Sequence, residues 1–264
     1  MHSSKIYFVK ERHLSKRRNN RATAQQFQEP IEHYAKQQPV QLDNYRKHPR
    51  KVHLTPKTLS QERYIDLLGS QEKLIVFATG PAGTGKTMMA VLAALRAYQT
   101  GECGKIVITR PAVGVDDEEH GFLPGDLNQK MAPWTRPIMD YIAEYYKPQE
   151  INAMLEDQII EISPLAYMRG RTFKNSWIIA DEMQNATPSQ MKMLLTRLGE
   201  GSKLVVTGDT QQADRKEADN GLLDFRRLVS EYKNCQYVAG IEFGGRDIQR
   251  HPAVLEILKI YREL

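Results

Sequence analysis

At 264 residues, 41% of them hydrophobic, the chain is long enough to bury a full core and most readily forms one domain with an appendage. Its two cysteines, Cys103 and Cys235, stand far apart and outside any metal-ligand spacing, which excludes a disulfide framework. No apolar stretch approaches the roughly 18 to 20 residues of a membrane span, and the start, MHSSKIYFVKERHLSKRR, lacks the apolar core of a secretory signal, so a soluble, cytoplasmic, reduced setting is expected.

The net charge of +5 is unevenly placed. Residues 1–57 hold thirteen Lys or Arg against four Asp or Glu, a charge of +9, which leaves −4 for the remainder. The same segment is rich in Gln and Asn (RRNNRATAQQFQ, KQQPVQLDNYRKHPRK) and has no sustained apolar period. Residues 1–54 are therefore read as a basic, largely disordered or loosely ordered arm, and residues 55–264 as the folded domain. The arm is either a solubilising tail or an electrostatic attachment to nucleic acid, with Tyr34 and Tyr45 available for base stacking.

From Leu74 short β-rich runs recur: LIVFATG (74–80), KIVITR (105–110), IIEISP (159–164), WIIAD (177–181), KLVVTG (203–208) and CQYVAGIEF (235–243). Unbroken apolar runs suit strands covered on both faces. Helices are predicted over 85–99, 126–146, 188–198, 221–232 and 252–262. The alternation predicts an α/β fold with a parallel sheet, helices on both faces and right-handed crossovers. Pro111 to Pro137 is too rich in Gly, Pro and acids to be one regular element, and is read as an irregular excursion.

GPAGTGKT, Gly80, Pro81, Ala82, Gly83, Thr84, Gly85, Lys86 and Thr87, fits the phosphate-loop pattern and lies between a predicted strand and a predicted helix. The glycines let backbone N–H groups curl round a phosphate, and the helix N-terminus adds its dipole. Lys86 can reach the terminal phosphates and Thr87 can ligate Mg²⁺. A glycine-rich turn that happens to contain Lys-Thr is the bland alternative, and the strand–loop–helix placement weighs against it.

The strand WIIAD then acquires a partner. Asp181 would hold the metal, while the next acid, Glu182, could polarise an attacking water. One carboxylate is neutralised and the other stays free to take a proton. KLVVTGDTQQAD (203–214) is a third strand ending in polar groups. In the version of this fold with a strand inserted between the phosphate-loop and acid strands, it would carry a γ-phosphate sensor, with Asp209 and Gln212 as candidates. The histidines are scattered without paired spacing, which makes a metal site of their own improbable.

These motifs together resemble the PhoH family of phosphate-starvation-associated ATPases, whose core is similar to that of superfamily-one helicases. The resemblance rests on PLAYMRGRTFKNSWIIADEMQNATPSQMKMLLTRLGEGSKLVVTGDTQQAD (164–214), GPAGTGKT, ITRPAV (108–113), GFLPGDLNQKMAPW (121–134) and RDIQRHPAV, and covers about residues 55–264. Met183 stands where the family pattern usually has Ala. The basic arm has no counterpart and is too short for the nuclease domain fused to some relatives, so no ribonuclease activity is expected.

The resemblance implies a RecA-like fold with ATP at Gly80–Thr87, Mg²⁺ at Thr87 and Asp181, and Glu182 as base. It also implies that Gln184 and Gln212 sense the γ-phosphate and that Gln61 reads adenine, although Gln61 could equally be a solvated helix residue. Asn185 would orient the loop or start the helix that Pro188 opens. Arg250 would reach a neighbouring subunit's γ-phosphate as an arginine finger, with Arg246 as the second candidate. Arg110, Arg169 and Arg171, at or near strand ends, would contact nucleotide or nucleic acid rather than form salt bridges.

The function expected is an Mg²⁺-dependent ATPase working on nucleic acid, RNA or single-stranded DNA with RNA favoured, as a homo-oligomeric ring for which the resemblance suggests a hexamer. Helicase action is implied only by the resemblance, since one such core lacks a helicase's second lobe. The alternatives are an ATP-dependent switch acting on protein partners and, further off, a small-molecule kinase.

Overall fold

The computed structural model describes residues 50–111, 127–210, 220–232 and 234–261, with the backbone course alone for 127–133. Residues 1–49, 112–126 and 211–219 lie outside these, and with them Tyr34, Tyr45 and Gln212. Six strands, β1 (Ile75–Thr79), β2 (Lys105–Thr109), β3 (Ile160–Ile162), β4 (Ser176–Ala180), β5 (Lys203–Gly208) and β6 (Val238–Glu242), pair in the order β3-β2-β4-β5-β1-β6. Every pairing is parallel. Each of the six apolar runs of the sequence forms one strand, and β5 is inserted between the phosphate-loop strand β1 and the acid strand β4.

The period of two divides each strand between two cores. Val76, Ala78, Ile106, Ile108, Ile179 and Val205 face one side, where α1 (Leu59–Gly69), α2 (Lys86–Thr100), α3 (Leu127–Ala143) and α4 (Pro148–Glu156) cover them. Phe77, Val107, Ile178, Ala180, Leu204 and Val206 face the other, against α5 (Pro188–Leu195) and α6 (Gly221–Tyr232). This is the RecA-like arrangement, a parallel sheet with helices on both faces. Helix α7 (Pro252–Ile260) follows β6 and buries none of its residues.

Three local outcomes differ from the sequence reading. Of the two overlapping readings of this stretch, the helix predicted over 126–146 holds and the irregular excursion to Pro137 does not: residues 127–137 are helical, with Pro133 and Pro137 inside α3. An interior proline costs about 3 kcal/mol; here Thr135, Ile138 and Ile142, all buried, offset that by packing on the core. Helix α4 was not expected, yet KPQE contains its start signal: Pro148 at the first position, and Glu150 accepting the Lys147 N–H at 2.7 Å. At α5 the cap is Thr187, whose side chain accepts from Gln190 N, while Asn185 is buried in the 3₁₀ turn Met183–Asn185. Residues just before Leu54 also pack on the domain, with Val52 buried and its N–H donated to Gln99 Oε1 at 3.2 Å.

At the N-terminal edge of the sheet, away from the phosphate loop, the Lys203 ammonium closes the end of α1. It donates to the carbonyls of Leu67, Leu68 and Ser70 at 3.1, 2.5 and 2.7 Å. A helix end leaves such carbonyls short of partners, and of the three only Leu67 O has another, the Ser70 N–H at 3.3 Å. Lys203→Met keeps the apolar stem and strands the Leu68 and Ser70 acceptors, and should cost about 2 kcal/mol in urea unfolding. An unchanged unfolding midpoint would show that the ammonium does not hold the helix end.

Candidate active site

Parallel register brings the C-terminal ends of the central strands to one edge. Thr79 pairs with Gly208, Ala180 with Val206 and Thr109 with Ala180, so Gly80, Asp181, Asp209 and Arg110 emerge side by side. Between them opens a cavity of ≈ 360 Å³ whose wall includes Gly83, Lys86, Thr87, Asp181, Glu182 and Arg250. Ala82, Gly85, Tyr141, Gly208, Asp209 and Gln249 complete it.

Three glycines of the phosphate loop, Gly80, Gly83 and Gly85, have positive φ, and two of them face different neighbours. Gly80 has φ 132, and a Cβ there would collide with the backbone carbonyl of Phe243. Gly83 has φ 83, and a Cβ would come within 2.5 Å of Arg250 Nε. Lys86 is buried and donates Nζ to the loop's own carbonyls, Gly80 O at 2.6 Å and Pro81 O at 2.7 Å. Burial pushes its ammonium below the usual lysine range, and the carboxylates of Asp209, Glu182 and Asp181 pull it back. The ammonium thus sits poised beside the loop, facing three acids.

Across the cavity, Asp181 is buried and its Oδ1 accepts two hydroxyls, Thr87 Oγ1 at 2.8 Å and Thr207 Oγ1 at 2.5 Å. Threonine and carboxylate are hard oxygen donors, and no cluster of three or more His, Cys, Asp or Glu suited to a metal occurs among the described residues. That set fits Mg²⁺, which binds through one or two protein oxygens and completes its shell with water and phosphate. Glu182 follows in the left-handed region, φ 54, a conformation that a non-glycine residue adopts at some cost. Its carboxylate takes Gln184 Nε2 at 2.5 Å and lies 3.9 Å from Arg110 Nη2.

Gln184 is buried, is not among the residues lining the cavity, and stands behind Glu182. Its Oε1 accepts the Asp209 N–H at 3.0 Å, so one amide joins the acid strand to the end of β5. Gln61 is buried, not solvated: Nε2 donates to Thr84 O at 3.0 Å and Oε1 accepts from Lys57 N at 2.7 Å. Arg250 is exposed at the cavity rim. Its side chain crosses Gly83 of its own phosphate loop, held there by the Gln249 N–H to Gly83 O bond of 2.8 Å. Arg171 forms two bonds to Glu161, at 2.5 and 3.0 Å, which makes it a salt-bridging residue. Arg169 and Arg246 are exposed and outside the cavity wall.

Sequence reading missed Thr207, Gln249 and Tyr141. Thr207, between Val206 and Gly208 in KLVVTG, is the one polar residue inside the apolar run that follows Lys203 and carried a usable signal; Gln249 and Tyr141 reach the cavity only through tertiary packing.

Phosphate loop, inserted strand and adjacent acids define a RecA-like P-loop core. A family model described as PhoH-like protein matches residues 53–262, and the chain belongs to that family. It is 44% identical over 205 residues to a PhoH-like protein of Synechocystis sp., covering 78% of this chain and 61% of that one. To a PhoH-like protein of Bacillus subtilis it is 44% identical over 206 residues, covering 78% and 63%. The chain thus spans about three fifths of the length of these relatives. Among solved structures, it is similar to the UvsW helicase from bacteriophage T4 at 12% identity and a TM-score of 0.42, over 83% of this chain and 77% of that one.

Gly80→Ala forces a Cβ against the Phe243 carbonyl in a backbone region that side chains avoid. The expected loss is about 1–3 kcal/mol of stability in chemical denaturation; wild-type stability would mean that the close approach of β1 and β6 is relaxed in solution.

Proposed function

We propose that this chain is an Mg²⁺-dependent ATP hydrolase. The observation that carries the reading is the Thr87–Asp181 hydroxyl–carboxylate pair at 2.8 Å, with Glu182 beside it and held by Gln184. Mg²⁺ at Thr87 and Asp181 would neutralise charge on the terminal phosphates. The loop Gly80–Thr87 would cradle the phosphates through backbone N–H groups, and Lys86 would exchange its carbonyl partners for phosphate oxygens. Glu182, fixed by Gln184, would orient a water in line with the terminal phosphorus and accept its proton. Arg250, whose side chain crosses its own phosphate loop, would stabilise developing charge on the terminal phosphate, in cis or as the arginine finger of a neighbouring subunit of the ring. Gln61, whose amide retains one hydrogen and one lone pair, is suited to reading the base.

We further infer that hydrolysis is coupled to binding or remodelling of nucleic acid, RNA favoured, by a ring of subunits. The +9 charge of residues 1–57 supports the polyanion, and the direct link from Glu182 through Gln184 to the end of β5 supports a coupled machine.

Phosphate release from ATP with Mg²⁺ tests the chemistry. Glu182→Gln should retain nucleotide binding and lose at least about 100-fold in kcat. Gln184→Ala should leave affinity within about twofold and lower kcat about tenfold, the effect of releasing a positioned base. Collapse of nucleotide binding in Gln184→Ala would refute its positioning role. Stimulation by single-stranded RNA or DNA, lost in a chain lacking residues 1–54, is expected of the nucleic-acid reading. The absence of stimulation by either polymer would favour a switch acting on protein partners.

A further inference from the structure

Helix α3 delivers a phenol to the phosphate cavity. Its buried residues Thr135, Ile138 and Ile142 anchor the helix; Tyr141, one step round, packs its ring on the same core and lines the cavity. Two nearby phenols have their hydroxyls engaged. Tyr64 donates to Lys86 O at 3.4 Å, and Tyr146 accepts from Gln99 Nε2 at 3.4 Å. The Tyr141 hydroxyl has no hydrogen-bond partner among the described residues. Tyr141 lines a cavity wall that carries polar side chains, so its hydroxyl is free to donate to a ligand oxygen there.

Its surroundings narrow the ligand. Burial first, then the carboxylates of Glu144, Asp181 and Asp140, push the phenol above its usual range, while Arg250 acts in the opposite direction. The hydroxyl therefore stays protonated and offers a donor. Tyr141, Asp181 and Arg250 line one cavity, and the last two flank the place where the end of a phosphate chain would lie: Asp181 beside Thr87, Arg250 across Gly83.

We propose that Tyr141 contacts substrate, its hydroxyl donating a hydrogen bond to an oxygen of the terminal phosphate and so favouring a nucleoside triphosphate over the diphosphate. The inference rests on the nucleotide reading of the cavity. Being neutral, the phenol adds selectivity by position rather than by bulk charge, which Lys86 and Arg250 already supply. A diphosphate would leave the hydroxyl without its partner.

The test is Tyr141→Phe in the full chain, which removes the hydroxyl and keeps the ring. Binding of a non-hydrolysable ATP analogue with Mg²⁺ should weaken about tenfold or more, the effect of a lost hydrogen bond to a charged group, with ADP affinity within about twofold. The melting temperature should not move, and Tyr146→Phe, outside the cavity, should leave both affinities as they are. An unchanged triphosphate-to-diphosphate ratio in Tyr141→Phe overturns the inference. Equal weakening of both nucleotides in Tyr141→Leu, with none in Tyr141→Phe, would assign the ring to base stacking and overturn it too. So would a melting temperature several degrees lower in Tyr141→Phe, which would assign the hydroxyl to the fold. If the wild-type chain binds neither nucleotide, the nucleotide reading itself fails; if it binds both and only the ratio is insensitive, the inference alone fails.

Discussion

The Asp181 carboxylate holds the site together. A buried charge costs several kcal/mol unless it is met by donors. Here the donors come from two elements far apart in sequence, Thr87 at the start of α2 and Thr207 near the end of β5. The carboxylate is therefore a three-way joint between phosphate loop, acid strand and inserted strand. Its position is not adjustable, because Ala180 is locked in register between Thr109 and Val206. Whatever enters the cavity must meet oxygens that the sheet has already fixed.

A second set of contacts braces the phosphate loop from both sides. Gln61 on α1 donates to Thr84 O, and Gln249, after β6, donates to Gly83 O. The second brace is steadied locally, since Asp247 accepts the Gly244 N–H at 2.9 Å. The loop is thus held by backbone and amide contacts that leave its interior N–H groups to a ligand. Arg250 lies beside this second brace, one residue before the His251 cap of α7, whose Val254, Ile257 and Ile260 are exposed. A change at the phosphates that drew on Arg250 would act at the base of that helix.

Glu182 shows where local preference yields to the site. Its left-handed backbone stores roughly 1–3 kcal/mol, and the surrounding bonds hold it there: Gln184 Nε2 on the carboxylate and Asp209 N–H on Gln184 Oε1. The sequence pair Asp-Glu says that two acids are adjacent. The twist between them is what sends one towards Thr87 and the other towards Gln184 and Arg110.

The sequence by itself determined the strands, the parallel α/β class and the phosphate loop. Each rests on local chemistry: unbroken apolar runs, helix-length spacers, and a glycine pattern that only one backbone shape explains. It also marked Asp181 and Glu182, because paired acids ending a buried strand are costly without a task. Tertiary structure alone decided where long-range side chains go. Arg250 lies over its own loop because β6 docks beside β1, and Gln61 is buried because α1 packs under that loop. The sequence predicted the helix that carries Tyr141, but that its ring reaches the cavity follows from how α3 packs on the sheet. Such placements depend on register and packing between segments tens of residues apart, and no local periodicity encodes them.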